Sequence, residues 1–267
     1  MNNKSKNSEM ERAEVSPAHQ ITMVLLPGMH GSGQVFAPLV REMPDYIRTV
    51  ALSYPPDLAL DYAGYLDIVM AALPDDQPFV LLGESFSGPL ALMAAARHPK
   101  GLCGVILCAT FATWPLSFAP SIARLILALG VFRLKSTRLF LRAVLGRNAT
   151  GELKRQFSET LTRTKAGVFN ARARAVINVD CTAALRDCPV PLLILVSDHD
   201  RIVAEPCTDM MQNIRPDAET VHFGTPHLIL QYDPVAAVGV ICGFVEKVRS
   251  NMCHPASGLS HQFVEHS

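Results

Sequence analysis

The chain has 267 residues, 49% of them hydrophobic and 18% charged, with 24 basic residues balancing 24 acidic ones. That length and apolar content suit one large α/β domain with an elaboration, and zero net charge removes any global field for nucleic acid or an acidic partner. The seven cysteines form no Cys-x-x-Cys and no Cys/His cluster of metal-ligand spacing, so they read as small core residues in a reducing compartment, which points to a cytoplasmic protein with no metal site.

Residues 1–18 are polar and mixed in charge, and 251–267 lack apolar periodicity, so both read as loose tails around a domain over 19–250. The first apolar run, Ile21 to Leu26, is too short for a signal segment or a membrane span. It reads instead as a buried strand. Thr49 to Leu52, Phe79 to Leu82, Gly104 to Leu107, Leu192 to Val196 and Thr220 to Phe223 have the same Val/Ile/Leu-rich character. Helical patterns cover Asp61 to Leu73, Gly88 to Arg97 and Pro234 to Arg249. Alternation of this kind predicts an α/β fold with a mostly parallel sheet of about six strands and helices on both faces.

One connection breaks the rhythm. From about 111 to 186 there are helical stretches and no convincing strand. Such an excursion leaves from the C-terminal edge of the sheet, where ligands bind, and is expected to form a helical cap over the site. From Ser121 to Asn178 it carries twelve Lys or Arg against Glu152 and Glu159, a local charge of +10. A solvated outer face accounts for that charge; attraction of an anionic substrate or an acidic membrane surface is the alternative. Leu125 to Phe132 and Leu139 to Leu141 interleave with these cations as an amphipathic pattern, which suits a hydrophobic substrate.

The chemistry centres on Gly83-Glu84-Ser85-Phe86-Ser87-Gly88, between a strand and a helix. A serine there sits on a tight turn with its hydroxyl projecting above the sheet, although a plain helix N-cap would look similar. A serine nucleophile needs an imidazole to take its proton and an acid to orient the imidazole. Candidates follow the later strands: Ser197-Asp198-His199-Asp200-Arg201, then His222, and His227 after Gly224-Thr225-Pro226. His222 lies inside a predicted strand and reads as a core or surface imidazole, and His199 as solvated. After the first strand comes Pro27-Gly28-Met29-His30-Gly31-Ser32-Gly33, whose spacing is neither a Walker loop nor a dinucleotide fingerprint.

Taken together, these residues resemble the α/β-hydrolase superfamily over roughly residues 20–250. The resemblance implies a nucleophile Ser85, an acid Asp200 rather than Asp198, a base His227, and an oxyanion hole from the backbone N–H groups of Phe86 and Met29. His30, Phe111, Trp114 and Phe118 are the expected pocket residues. Two departures stand out: Pro27-Gly28 where many members have His-Gly, and Ser87 where the elbow usually has Gly. Dehalogenases and epoxide hydrolases of this fold carry an aspartate at the position of Ser85, which disfavours both. The implied activity is cofactor-free hydrolysis of a carboxylic ester of a small molecule, with acyltransferase, thioesterase and non-catalytic receptor as alternatives.

Overall fold

The computed structural model describes residues 20–116, Ser121 and 138–253. Residues 1–18, most of the 251–267 segment, Phe118 and Leu125 to Phe132 lie outside them.

Six strands form one parallel sheet: β1 (Ile21–Leu26), β2 (Ile47–Ala51), β3 (Phe79–Glu84), β4 (Leu102–Cys108), β5 (Leu192–Ser197) and β6 (Glu219–Phe223), in the order β2-β1-β3-β4-β5-β6. Every residue of β1 and β3 is buried, because helices cover both faces. Successive side chains feed opposite cores. Val24, Leu26, Leu81 and Val105 face one layer, built with helices α2 (Tyr62–Ala72) and α3 (Gly88–Ala95). Met23, Leu25, Val80 and Leu82 face the other, packed on α1 (Ala37–Glu42) and the C-terminal helix Pro234–Cys253.

The helix α2 begins where Asp61 accepts a hydrogen bond from the Gly64 N–H at 3.0 Å, a side-chain N-cap. The C-terminal helix runs to Cys253, beyond the expected end of the domain at residue 250. The short α1 was not expected from the sequence. The β4–β5 connection supplies α4 (Arg138–Leu145), α5 (Gly151–Arg163), α6 (Ala166–Ile177) and α7 (Thr182–Arg186). An antiparallel bridge between Thr113 and Asp180 brings its two ends together.

The strand order reverses between β1 and β3, where Leu26 stands beside Gly83. In open α/β sheets the crevice beyond the strand ends at such a reversal is the ligand site. The Pro27 loop and Ser85 both lie there.

Candidate active site

Ser85 leaves β3 with a φ of 51°, in the left-handed region that non-glycine residues enter only under constraint. The constraint is visible. Thr110, just past β4, donates its hydroxyl to the Ser85 carbonyl oxygen. Gly83 allows the return of the chain, since a Cβ there would stand 2.4 Å from the Ser87 carbonyl oxygen.

The Ser85 hydroxyl lies 2.8 Å from Nε2 of His227, and Nδ1 of His227 lies 2.7 Å from Oδ2 of Asp200. The other oxygen of Asp200 accepts the N–H groups of Ile202 at 2.7 Å and Val203 at 2.9 Å, which fixes the carboxylate against rotation. The Ser197 hydroxyl donates to the Thr225 carbonyl oxygen at 2.6 Å, lacing the loop of Asp200 to that of His227. Burial disfavours a charged Asp200, but His227 and the two N–H groups outweigh it and hold the carboxyl below its ordinary range. For His227 burial again opposes charge. The Asp200 carboxylate, with Glu84 contributing, overcomes it and holds the imidazole above the usual histidine value.

The two candidate acids have separate partners. Asp198 pairs with His222 at 2.8 Å on an exposed edge. Asp200 also caps the turn after β5, through the N–H groups of Ile202 and Val203. His222 is a surface imidazole on β6, and His199 is exposed.

Both sequence departures meet in one buried chain of hydroxyls. Ser87 donates to the Pro27 carbonyl oxygen at 2.5 Å, and the Tyr54 hydroxyl lies 2.7 Å from the same serine oxygen. Because Ser87 has one proton and gives it to Pro27, Tyr54 is the donor in the second bond. The extra hydroxymethyl group thus ties the turn after β3 to the loop after β1.

Ser85, His227, Met29, Phe86, His30, Phe111 and Trp114 all border one cavity of about 260 Å³. Its far wall comes from the β4–β5 connection, through Phe157 and Leu161 of α5 and Phe169, Ala173 and Ile177 of α6. The carbonyl oxygens of the two residues implied as oxyanion donors are held by buried side chains. Tyr62 donates to Phe86 at 3.0 Å, and Arg172 to Met29 at 2.8 Å.

Arg172 corrects the reading of the basic segment as a solvated face. Of the twelve cations counted there, eight have described side chains; seven are exposed, but Arg172 is fully buried. Its guanidinium donates to the Tyr65 hydroxyl at 2.8 Å and the Pro55 carbonyl oxygen at 3.2 Å as well as to Met29. It also lies over the rings of Tyr54 and Tyr65. Gly31, at a φ of +76°, leaves room for it, since a Cβ there would stand 2.4 Å from Nη1.

Sequence reasoning also passed over Glu84, fully buried and bonded through Oε1 to Gln231 at 2.9 Å. The available signal was a carboxylate ending an apolar strand next to the proposed nucleophile. Among the described residues no group of three or more His, Cys, Asp or Glu could hold a metal ion, and no helix is long and apolar enough to cross a membrane.

A family model described as the alpha/beta hydrolase family matches residues 23–239. The chain belongs to this family. Solved alpha/beta structures of the same fold include an esterase from Exiguobacterium antarcticum, with a TM-score of 0.72 at 16% identity, covering 84% of this chain and 91% of that one. A hydrolase from Oleispira antarctica matches with a TM-score of 0.72 at 14% identity, over 85% of this chain and 91% of the other. A bromoperoxidase from Bacillus anthracis does so with 0.72 at 13%, over 85% and 92%. At such identities the likeness to these alpha/beta hydrolase structures is one of fold. No curated protein matches the sequence.

Proposed function

We propose that the chain is a serine hydrolase that cleaves a carboxylic ester with a hydrophobic acyl or alcohol part through an acyl-enzyme on Ser85. The observation that carries this reading is the unbroken row from Ser85 Oγ through His227 to Asp200 at the edge of an apolar cavity. Family membership and the esterase and hydrolase of the same fold support it.

In this reaction His227 takes the proton of Ser85 as its oxygen attacks the ester carbonyl, and Asp200 holds the ring in the tautomer with Nε2 free to accept. The N–H groups of Phe86 and Met29 receive the negative oxygen of the tetrahedral intermediate. His227 then returns the proton to the departing alcohol. Water, activated by the same imidazole, hydrolyses the acyl-enzyme and regenerates the serine. The helices of the β4–β5 connection serve as a cap that receives the apolar part of the substrate, which is a small molecule.

A fluorophosphonate probe tests the reading directly, because it labels only an activated serine. The wild type is labelled and the folded Ser85→Ala variant is not; p-nitrophenyl esters from acetyl to palmitoyl then report the chain length that the cavity accepts. A folded wild type that neither labels nor cleaves any ester would refute the proposal in favour of a binding protein.

The pH profile gives a second expectation. The base must be neutral to accept a proton, and the His227 pKa lies above the ordinary value of 6.5. The kcat/KM for ester cleavage therefore rises with pH through a single ionisation above 6.5 and is lost on acidification. A limb at or below that value would show that the Asp200 interaction does not govern the imidazole.

A further inference from the structure

We propose that the recess between His30 and Glu84 binds a hydroxyl group of the substrate, so that the ester presented to Ser85 carries a hydroxyl within a few bonds of its carbonyl. This inference rests on the serine-hydrolase reading and names the substrate class within it.

His30 is 4% exposed and Glu84 is fully buried. Nδ1 of His30 accepts the Ser32 N–H at 3.1 Å, which leaves the ring proton on Nε2. That atom faces Oε2 of Glu84 at 3.6 Å, too far for a hydrogen bond between them. Both atoms are buried and neither has a hydrogen-bond partner among the described residues. Oε1 of Glu84 is already taken by Gln231. The pair is therefore one unmet donor beside one unmet acceptor, an arrangement that is costly unless something fills it.

The two atoms lie just behind the wall of the Ser85 cavity, since both residues border it and neither atom is exposed. His30 Nε2 and the Ser85 Cβ lie 3.4 and 3.5 Å from the point a Cβ on Gly28 would occupy, so the recess adjoins the reacting centre. The rings of Phe157 and His30 meet in a T-shaped arrangement, with centroids 5.5 Å apart. Apart from Ser85, His227 and this pair, the lining is carbon-rich.

The chemistry selects the ligand. A carbonyl oxygen could accept from His30 but offers Glu84 nothing, and an ammonium could donate to Glu84 but cannot accept from His30. One hydroxyl oxygen at about 2.8 Å from each atom does both. Water shares that chemistry, and the experiment separates the two. A site built to bond a substrate hydroxyl discriminates against the analogue without it, because the deoxy compound strands both buried groups.

The test compares kcat/KM for p-nitrophenyl octanoate against the 3-hydroxyoctanoate, and for propyl octanoate against the monoester of propane-1,2-diol. In the wild type the hydroxylated member of at least one pair is favoured by about tenfold or more. The ratio falls toward one in His30→Phe. It falls also in Glu84→Leu, which removes the acceptor outright. Wild-type ratios near one in both pairs, with Ser85 labelled normally by the fluorophosphonate, would overturn the inference and assign the recess to water. Absence of both labelling and ester cleavage would instead remove the serine-hydrolase reading and this inference with it. The wild-type ratios decide the matter even if a variant fails to fold.

Discussion

Asp200→Asn lowers kcat for ester hydrolysis by about three to four orders of magnitude, while Asp198→Asn leaves it within about a factor of two, as expected for an exposed pair. The asymmetry follows from the way Asp200 is held. One of its oxygens is committed to the N–H groups of Ile202 and Val203, so an asparagine keeps its carbonyl oxygen there and turns its NH₂ toward His227. Nδ1 must then accept, the ring proton moves to Nε2, and the imidazole can no longer take the proton of Ser85. Asp198, by contrast, holds only the exposed His222. Steady-state kinetics on the two variants, with circular dichroism to show that both fold, make the comparison; equal losses would mean that Asp200 is not the orienting acid.

Arg172→Ala destabilises the protein by roughly 3 kcal/mol and lowers kcat more than it raises KM. The side chain is fully buried, so the variant leaves a void as well as three stranded partners in Met29, Pro55 and Tyr65. For a chain of this size that loss moves the thermal midpoint by roughly 6–10 °C. The kinetic effect arises because Met29 is the residue whose N–H is assigned to the oxyanion. A loosened loop weakens an interaction made most strongly in the transition state. Calorimetry and kinetics on the same sample separate the two effects. An unchanged midpoint together with an unchanged kcat would mean that the guanidinium is not a support for this loop.

The sheet was legible because its central strands are buried on both faces and therefore read as unbroken apolar runs. The least accurate boundaries were those of β2 and β4, which each begin two residues before the expected start, at Ile47-Arg48 and Leu102-Cys103. The edge strand β2 admits a polar residue from solvent, and Gly104 within β4 reads as a strand boundary. Ser85, Asp200 and His227 could be picked out because each follows a strand end and the family resemblance favours Asp200 over Asp198; the structure places the three in one hydrogen-bonded row. Arg172 could not be. A lone arginine in an amphipathic helix reads as solvent-facing, and its burial depends on the carbonyl groups of Met29 and Pro55, which are 143 and 117 residues away in sequence. The same holds for Tyr54, which follows β2 and meets Ser87 only once β2 and β3 lie on either side of β1.

The bond from Ser87 to Pro27 also bears on how this chain can change. Restoring glycine at 87 alone would not return the turn to the arrangement usual in the family; it would strand the Pro27 carbonyl and the Tyr54 hydroxyl together. Substitutions at 54 and 87 are therefore coupled, whereas the acceptor at 27 is a backbone carbonyl that any residue keeps. Library design or ancestral reconstruction that samples 54 and 87 one at a time meets a stranded polar group that joint replacement has to relieve together with the Pro27 carbonyl.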